Sequence, residues 1–74
     1  MAIPSRVIAI QGDMAQVECF GQERSVSLML MNEPVVVGDF LCIQSGVFAV
    51  EKVPVALAKE ALAYFAQVLE GFEQ

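Results

Sequence analysis

Cys19 and Cys42 are the only thiols in the chain, and no histidine accompanies them. Without an imidazole there is no Ser-His-Asp or Cys-His nucleophile arrangement, and the commonest acid–base group near neutral pH is missing. A zinc site takes about four ligands at suitable spacing, which two separated cysteines cannot supply. Neither cysteine belongs to a CxxC pair, so both are expected to be buried, unpaired thiols that behave as small hydrophobes. The carboxylates Asp13, Glu18, Glu23 and Asp39 fall at or near expected turns and strand ends. Two of them could serve as acid and base, but solvated surface charge is the far commoner role. The glycines are scattered, with no run that would cradle a phosphate. No catalytic residue, metal-ligand set or cofactor motif emerges, and the chain reads as a protein that is not an enzyme.

Composition narrows the alternatives. The 74 residues suffice for one domain and are too few for two. Hydrophobic residues make up 57% and charged residues 18%, which excludes a disordered chain. The longest apolar stretches are broken by Glu, Lys, Gly or Pro, so no membrane-spanning segment is expected. The opening Met1-Ala2-Ile3-Pro4-Ser5-Arg6 has no basic region leading into an apolar one, and a cytoplasmic location is the default expectation. The net charge is −5, with Arg6, Arg24, Lys52 and Lys59 as the only basic residues. Nucleic-acid binding needs clustered Lys and Arg to neutralise phosphates, which argues against such a partner. An acidic balance favours solubility, or a partner with a basic patch.

The elements that would position these residues are mostly short strands. Arg6 to Gln11 alternates imperfectly and is rich in β-branched residues; Gly12-Asp13 is a turn signal. Ala15, Val17 and Cys19 then share one face of a strand over Met14 to Phe20. Gly21-Gln22 fits a tight hairpin, with Gly supplying a positive φ. Arg24, Val26 and Leu28 alternate with Ser25 and Ser27 as a half-buried strand. Pro34 interrupts the pattern, Val35 to Val37 fits a short edge strand, and Gly38-Asp39 turns again. Phe40 to Gln44 and Val47 to Lys52 form a last pair around Ser45-Gly46. Strands this short and regular, with glycine turns, predict a small barrel. From Pro54 the period changes to helical: Ala58, Ala61, Leu62, Phe65, Val68, Leu69 and Phe72 form one stripe. Pro54 suits a first helical turn, and Phe65, mid-stripe, is the expected anchor on the barrel. The expected layout is one domain over 1–74, with a barrel at 1–53 and a helix at 54–73.

Three segments resemble the HypC/HupF/HybG family of hydrogenase-assembly chaperones. Met1-Ala2-Ile3-Pro4-Ser5-Arg6-Val7 is similar to that family's opening, Met-Cys-Leu-Ala-Ile-Pro-x-x-Val. Gly21-Gln22-Glu23-Arg24-Ser25-Val26-Ser27-Leu28 resembles its Gly-x-x-Arg-x-Val-x-Leu strand. Val37-Gly38-Asp39-Phe40-Leu41 and Gly46-Val47-Phe48-Ala49-Val50 resemble its Val-Gly-Asp-Tyr-Val and Gly-Phe-Ala-Ile stretches, with one residue inserted. The matched pieces run in order along nearly the whole chain. The resemblance implies a mainly β fold, a five-stranded OB-like barrel with a C-terminal α-helix. It also implies a chaperone or adaptor that binds the nickel–iron hydrogenase large-subunit precursor, the HypD-like iron–cyanide scaffold, or both.

Two departures bear on that role. The family's working Cys follows the initiator Met, where this chain has Ala2; a methyl group cannot act as thiolate ligand or nucleophile. The family's His corresponds to Gln44, which hydrogen-bonds but neither titrates nor ligates as imidazole does. Either the chain retains docking without iron handling, or the natural start lies beyond the sequence; the joint loss of Cys and His favours the first. The implied partner-binding surface is Ala2, Ile3 and Pro4 beside Gln44, Gly46 and Phe48, although Ile3 and Phe48 could equally close the barrel. Two other functions compete. An OB-type domain for single-stranded nucleic acid would interleave Phe20, Phe40, Phe48 and Tyr64 with basic residues that this chain lacks. A structural subunit of a larger complex is not distinguishable from an adaptor by sequence.

Overall fold

The computed structural model describes residues 3–72. Five strands and one helix follow in order: β1 (Ser5–Gln11), β2 (Met14–Cys19), β3 (Gln22–Ser27), β4 (Phe40–Gln44), β5 (Phe48–Val53) and α1 (Val55–Phe72). The strands close into a barrel in the order β1-β2-β3-β5-β4, as expected of an OB-like fold with an appended helix. β1, β2 and β3 form an antiparallel meander, β4 and β5 an antiparallel hairpin. Ser5 and Arg6 close the barrel against Leu41 and Phe40, and a parallel pairing of Ser27 with Phe48 closes the other seam.

The alternation of β2 is realised as expected: Ala15 and Val17 are fully buried and Cys19 continues their face. Val7, Val26, Leu41 and Ala49 complete the core. The imperfect alternation of β1 has a local cause. The register shifts between Val7 and Ala9, so Ile8 is an extra residue that breaks the two-residue period. A second shift, between Cys42 and Ile43, leaves Val50 unpaired on β5.

Two sequence expectations are corrected. The β2–β3 turn consists of Phe20 and Gly21, not Gly21 and Gln22; Cys19 pairs with Gln22 and both turn residues have positive φ, 51° and 83°. A primed turn needs φ > 0 at both central positions, and Glu18 secures it by accepting the Gly21 N–H at 2.9 Å. Val35 to Val37 is a loop, not an edge strand. The Val36 N–H is taken by the Asp39 side chain at 2.9 Å and the Asp39 N–H by the Val36 carbonyl at 3.1 Å, which folds the segment into a turn. The turn is sewn to β1 instead of pairing as a strand, with Gly38 donating to the Val7 carbonyl and Val7 to that of Asp39.

The helix begins one residue after Pro54, whose carbonyl accepts the Ala58 N–H at 2.9 Å. Ala58 is fully buried against the barrel, and Ala61, Leu62, Phe65 and Ala66 are partly covered. Further along, Val68 and Leu69 are exposed. An 18-residue helix is about 27 Å long, longer than either short axis of the molecule (21 and 20 Å) and shorter than its long axis (41 Å). Phe65 is a half-buried contact, and the buried position of the helix is Ala58, earlier in the chain. Among the described residues no helix is long and apolar enough to cross a membrane.

Candidate docking surface at the barrel mouth

The β2–β3 turn, the β4–β5 loop and the incoming chain at Ile3 ring one end of the barrel. The core residues Val17 and Leu41 seal the interior below. Above them lies an open cavity of about 610 Å³ whose wall includes Ile3, Ser5, Cys19, Phe20, Arg24 and Gly46. Its residents follow from strand alternation. Val17 pairs with Arg24 and Cys19 with Gln22, so Arg24 and Gln22 share the inward face of β3 with Val26. The outward face of the same strands carries a separate polar network: Ser25 Oγ donates to Gln16 Oε1 at 2.8 Å, and Gln16 Nε2 donates to Glu23 Oε1 at 3.4 Å.

Arg24 occupies a core-facing position but reaches solvent at the mouth, with its guanidinium laid over Gly46. It forms no hydrogen bond and no ion pair among the described residues. The other salt bridges are elsewhere: Arg6 with Glu18 at 3.7 Å, and Lys52 with Asp39 at 3.1 Å. Burial raises the Cys19 thiol pKa and the neighbouring Glu18 charge raises it further, while Arg24 and the Ser5 hydroxyl oppose them. A raised pKa leaves less thiolate at neutral pH, so Cys19 is a poor nucleophile. Neither cysteine is fully buried as expected: Cys19 borders the cavity, and Cys42 faces a groove beneath the helix.

The six residues expected to bind a partner are only partly brought together. Ile3 and Gly46 line the same cavity. Gln44 and Phe48 are cross-strand partners flanking the Ser45-Gly46-Val47 loop, and both are exposed. Pro4 is buried and turned to the second groove, about 510 Å³ and mainly apolar, with Cys42, Val53, Leu57, Ala61 and Tyr64 around it. Ala2 lies outside the described residues. Arg24, Cys19 and Phe20 were absent from the expected surface. The in-phase spacing of Arg24 with Val26 was the signal for the first.

Phe20 sits at φ 51°, a strained conformation for a bulky side chain, and displays an exposed ring on the cavity rim. Exposed apolar residues extend beyond the mouth, with Tyr64 63% exposed on the helix and Met29 75% exposed in the loop before β4. Surfaces of this kind mark contacts with other proteins. A base-stacking platform is a poorer fit, because Phe40 is buried and Tyr64 lies on the helix. The four carboxylates weighed as acid–base candidates have structural or solvated roles. Asp13 is exposed, Glu18 and Glu23 serve the β1–β2–β3 surface, and Asp39 ties its turn to Lys52. Among the described residues no three His, Cys, Asp or Glu side chains gather as a metal site.

The HupF/HypC family model matches residues 1–65. The hydrogenase maturation factor HypC of Helicobacter hepaticus is 35% identical over 75 aligned residues, covering 100% of this chain and 86% of that protein. The chain belongs to the HupF/HypC family.

Proposed function

We propose that this protein is a hydrogenase-maturation chaperone or adaptor without enzymatic activity, acting in the cytoplasm as a single domain. Its partners would be the large-subunit precursor of a nickel–iron hydrogenase, a HypD-like scaffold protein, or both. Family membership supports the maturation role. The observation that supports the binding role is the open barrel mouth, where Ile3 and Phe20 are exposed around a cavity instead of closing it, with Phe48 exposed beside the β4–β5 loop. Hydrophobic side chains left at the rim of a sealed core serve recognition, not stability. The proposed docking residues are Ile3, Gly46, Gln44 and Phe48, with Ala2 and Pro4 added on the family resemblance alone.

The iron group that such partners assemble is cargo, and the residues here do not suit it. Gln44 offers no imidazole where the family has His, so the chain is proposed to dock without carrying iron. Co-purification of the tagged chain from its native host tests the function. Recovery of a hydrogenase large-subunit precursor or a HypD-like scaffold is the expected result. Recovery of neither, with the hydrogenase genes expressed, would overturn it.

A further inference from the structure

We propose that the barrel mouth recognises a carboxylate beside an apolar side chain on the partner polypeptide, with Arg24 as the residue that binds the carboxylate. This rests on the docking reading above and names the chemistry it would take. Three observations support it. Arg24 projects from the core-facing side of β3, pairing with the fully buried Val17, so its side chain rises beside an apolar floor. The guanidinium has no protein acceptor among the described residues, although acidic groups outnumber basic ones nine to four in this chain. Arg6 and Lys52 both have carboxylate partners. The walls around Arg24 are apolar in part, from Ile3, Phe20 and Leu69.

A planar guanidinium matches a carboxylate through two parallel hydrogen bonds. Among the described residues no second cation lines the cavity, so a single negative charge suits it better than a phosphate dianion. The surrounding net charge of −5 disfavours anions elsewhere on the surface, which makes this position selective. The partner must be a polypeptide and not a free small molecule. Ligand sites enclose most of a small ligand, whereas Ile3, Phe20, Arg24 and Gly46 are all exposed at this mouth. A side chain whose other surfaces are covered by its own protein needs no such enclosure.

The test is a titration of the isotope-labelled chain with N-acetyl-Leu-Glu-amide and with its neutral counterpart N-acetyl-Leu-Gln-amide, followed by amide chemical shifts. The glutamate peptide is expected to move Cys19, Gln22, Arg24 and Gly46 and to bind about fivefold tighter than the glutamine peptide. The preference should vanish in Arg24→Gln and survive in part in Arg24→Lys, which also serves if Arg24→Gln fails to fold. Equal binding of the two peptides, no binding of either, shifts centred elsewhere, or a preference that persists without Arg24 would each overturn the inference. Phe48→Ala separates this from the docking reading, since it removes an exposed aromatic outside the cavity wall and no charge. If Phe48→Ala weakens capture of the precursor or scaffold while the peptides are not discriminated, docking stands and carboxylate recognition falls. If neither effect appears, both fall.

Discussion

Arg24 and Gly46 lie in contact across the barrel mouth: a β-carbon on Gly46 would stand 3.3 Å from Arg24 Nη1. Gly46 also has φ +72°, a conformation that costs an L-residue about 1–2 kcal/mol. Gly46→Ala should therefore carry the backbone cost and displace the guanidinium as well. Gly12→Ala, at φ +60° with nothing within 4 Å, carries the backbone cost alone. Urea midpoints should fall in both variants, and the Arg24 side-chain resonances should move only in Gly46→Ala. Unmoved Arg24 resonances in that variant would contradict the contact.

Burial ranks the two obvious truncations. Leu41 is fully buried between β1 and β5, and Leu→Ala at such a site costs about 2–5 kcal/mol. Phe65 is half-buried on the helix, so Phe65→Ala should lose less than the ~3–5 kcal/mol of a fully buried phenylalanine. Urea denaturation is expected to place Leu41→Ala well below Phe65→Ala. The reverse order would make the helix, not the barrel, the centre of stability.

Much of this was legible in the residues. The alternation of Ala15, Val17 and Cys19 located the core face of β2, and the change of period after Pro54 located the helix to within a residue. The edge-strand expectation at Val35 to Val37 failed because three β-branched residues signal a strand whatever their backbone partners do. Here a side chain, Asp39, took the Val36 N–H. The site was half legible. Family motifs pointed to Ile3 and Gly46, which border the cavity, and to Phe48, which does not, and they do not reveal that Pro4 turns to a different groove. Arg24 was read as part of a half-buried strand. That an inward position emerges at an open mouth depends on where the barrel ends, which no local pattern encodes.

Asp39 should give the acid limb of stability a specific contributor. The Val36 N–H is the largest influence and lowers its pKa; burial opposes it, and the Lys52 ammonium lowers it further, leaving it below the usual 3.8. A folded-state pKa below the unfolded one adds stability that is complete above the ordinary carboxylate range and is lost as pH falls through the folded value. Asp39→Asn should be less stable than the parent at neutral pH, and the gap should close in acid. A gap of constant size from neutral pH down to strongly acidic pH would contradict this account.

Cys19 should react slowly with alkylating reagents for its degree of exposure. Its raised pKa requires a thiolate titration above 9.0, the ordinary value. Arg24→Gln removes one of the influences that hold the pKa down, so alkylation at mildly alkaline pH should slow further in that variant. Faster alkylation of Cys19 after loss of the guanidinium would show that Arg24 shields the thiol and does not stabilise its anion.

The central claim is that this chain docks onto a hydrogenase-maturation partner through its barrel mouth. The most direct measurement is the affinity of the purified chain for the large-subunit precursor or the HypD-like scaffold from the same host, by calorimetry, for the parent, Phe48→Ala and Glu70→Ala. Truncating an interface aromatic commonly costs 1 kcal/mol or more, so Phe48→Ala should weaken binding by about fivefold or more. Glu70→Ala, on the exposed distal part of the helix, should bind as the parent does. Equal affinity of parent and Phe48→Ala, or no binding to either partner, would contradict the claim.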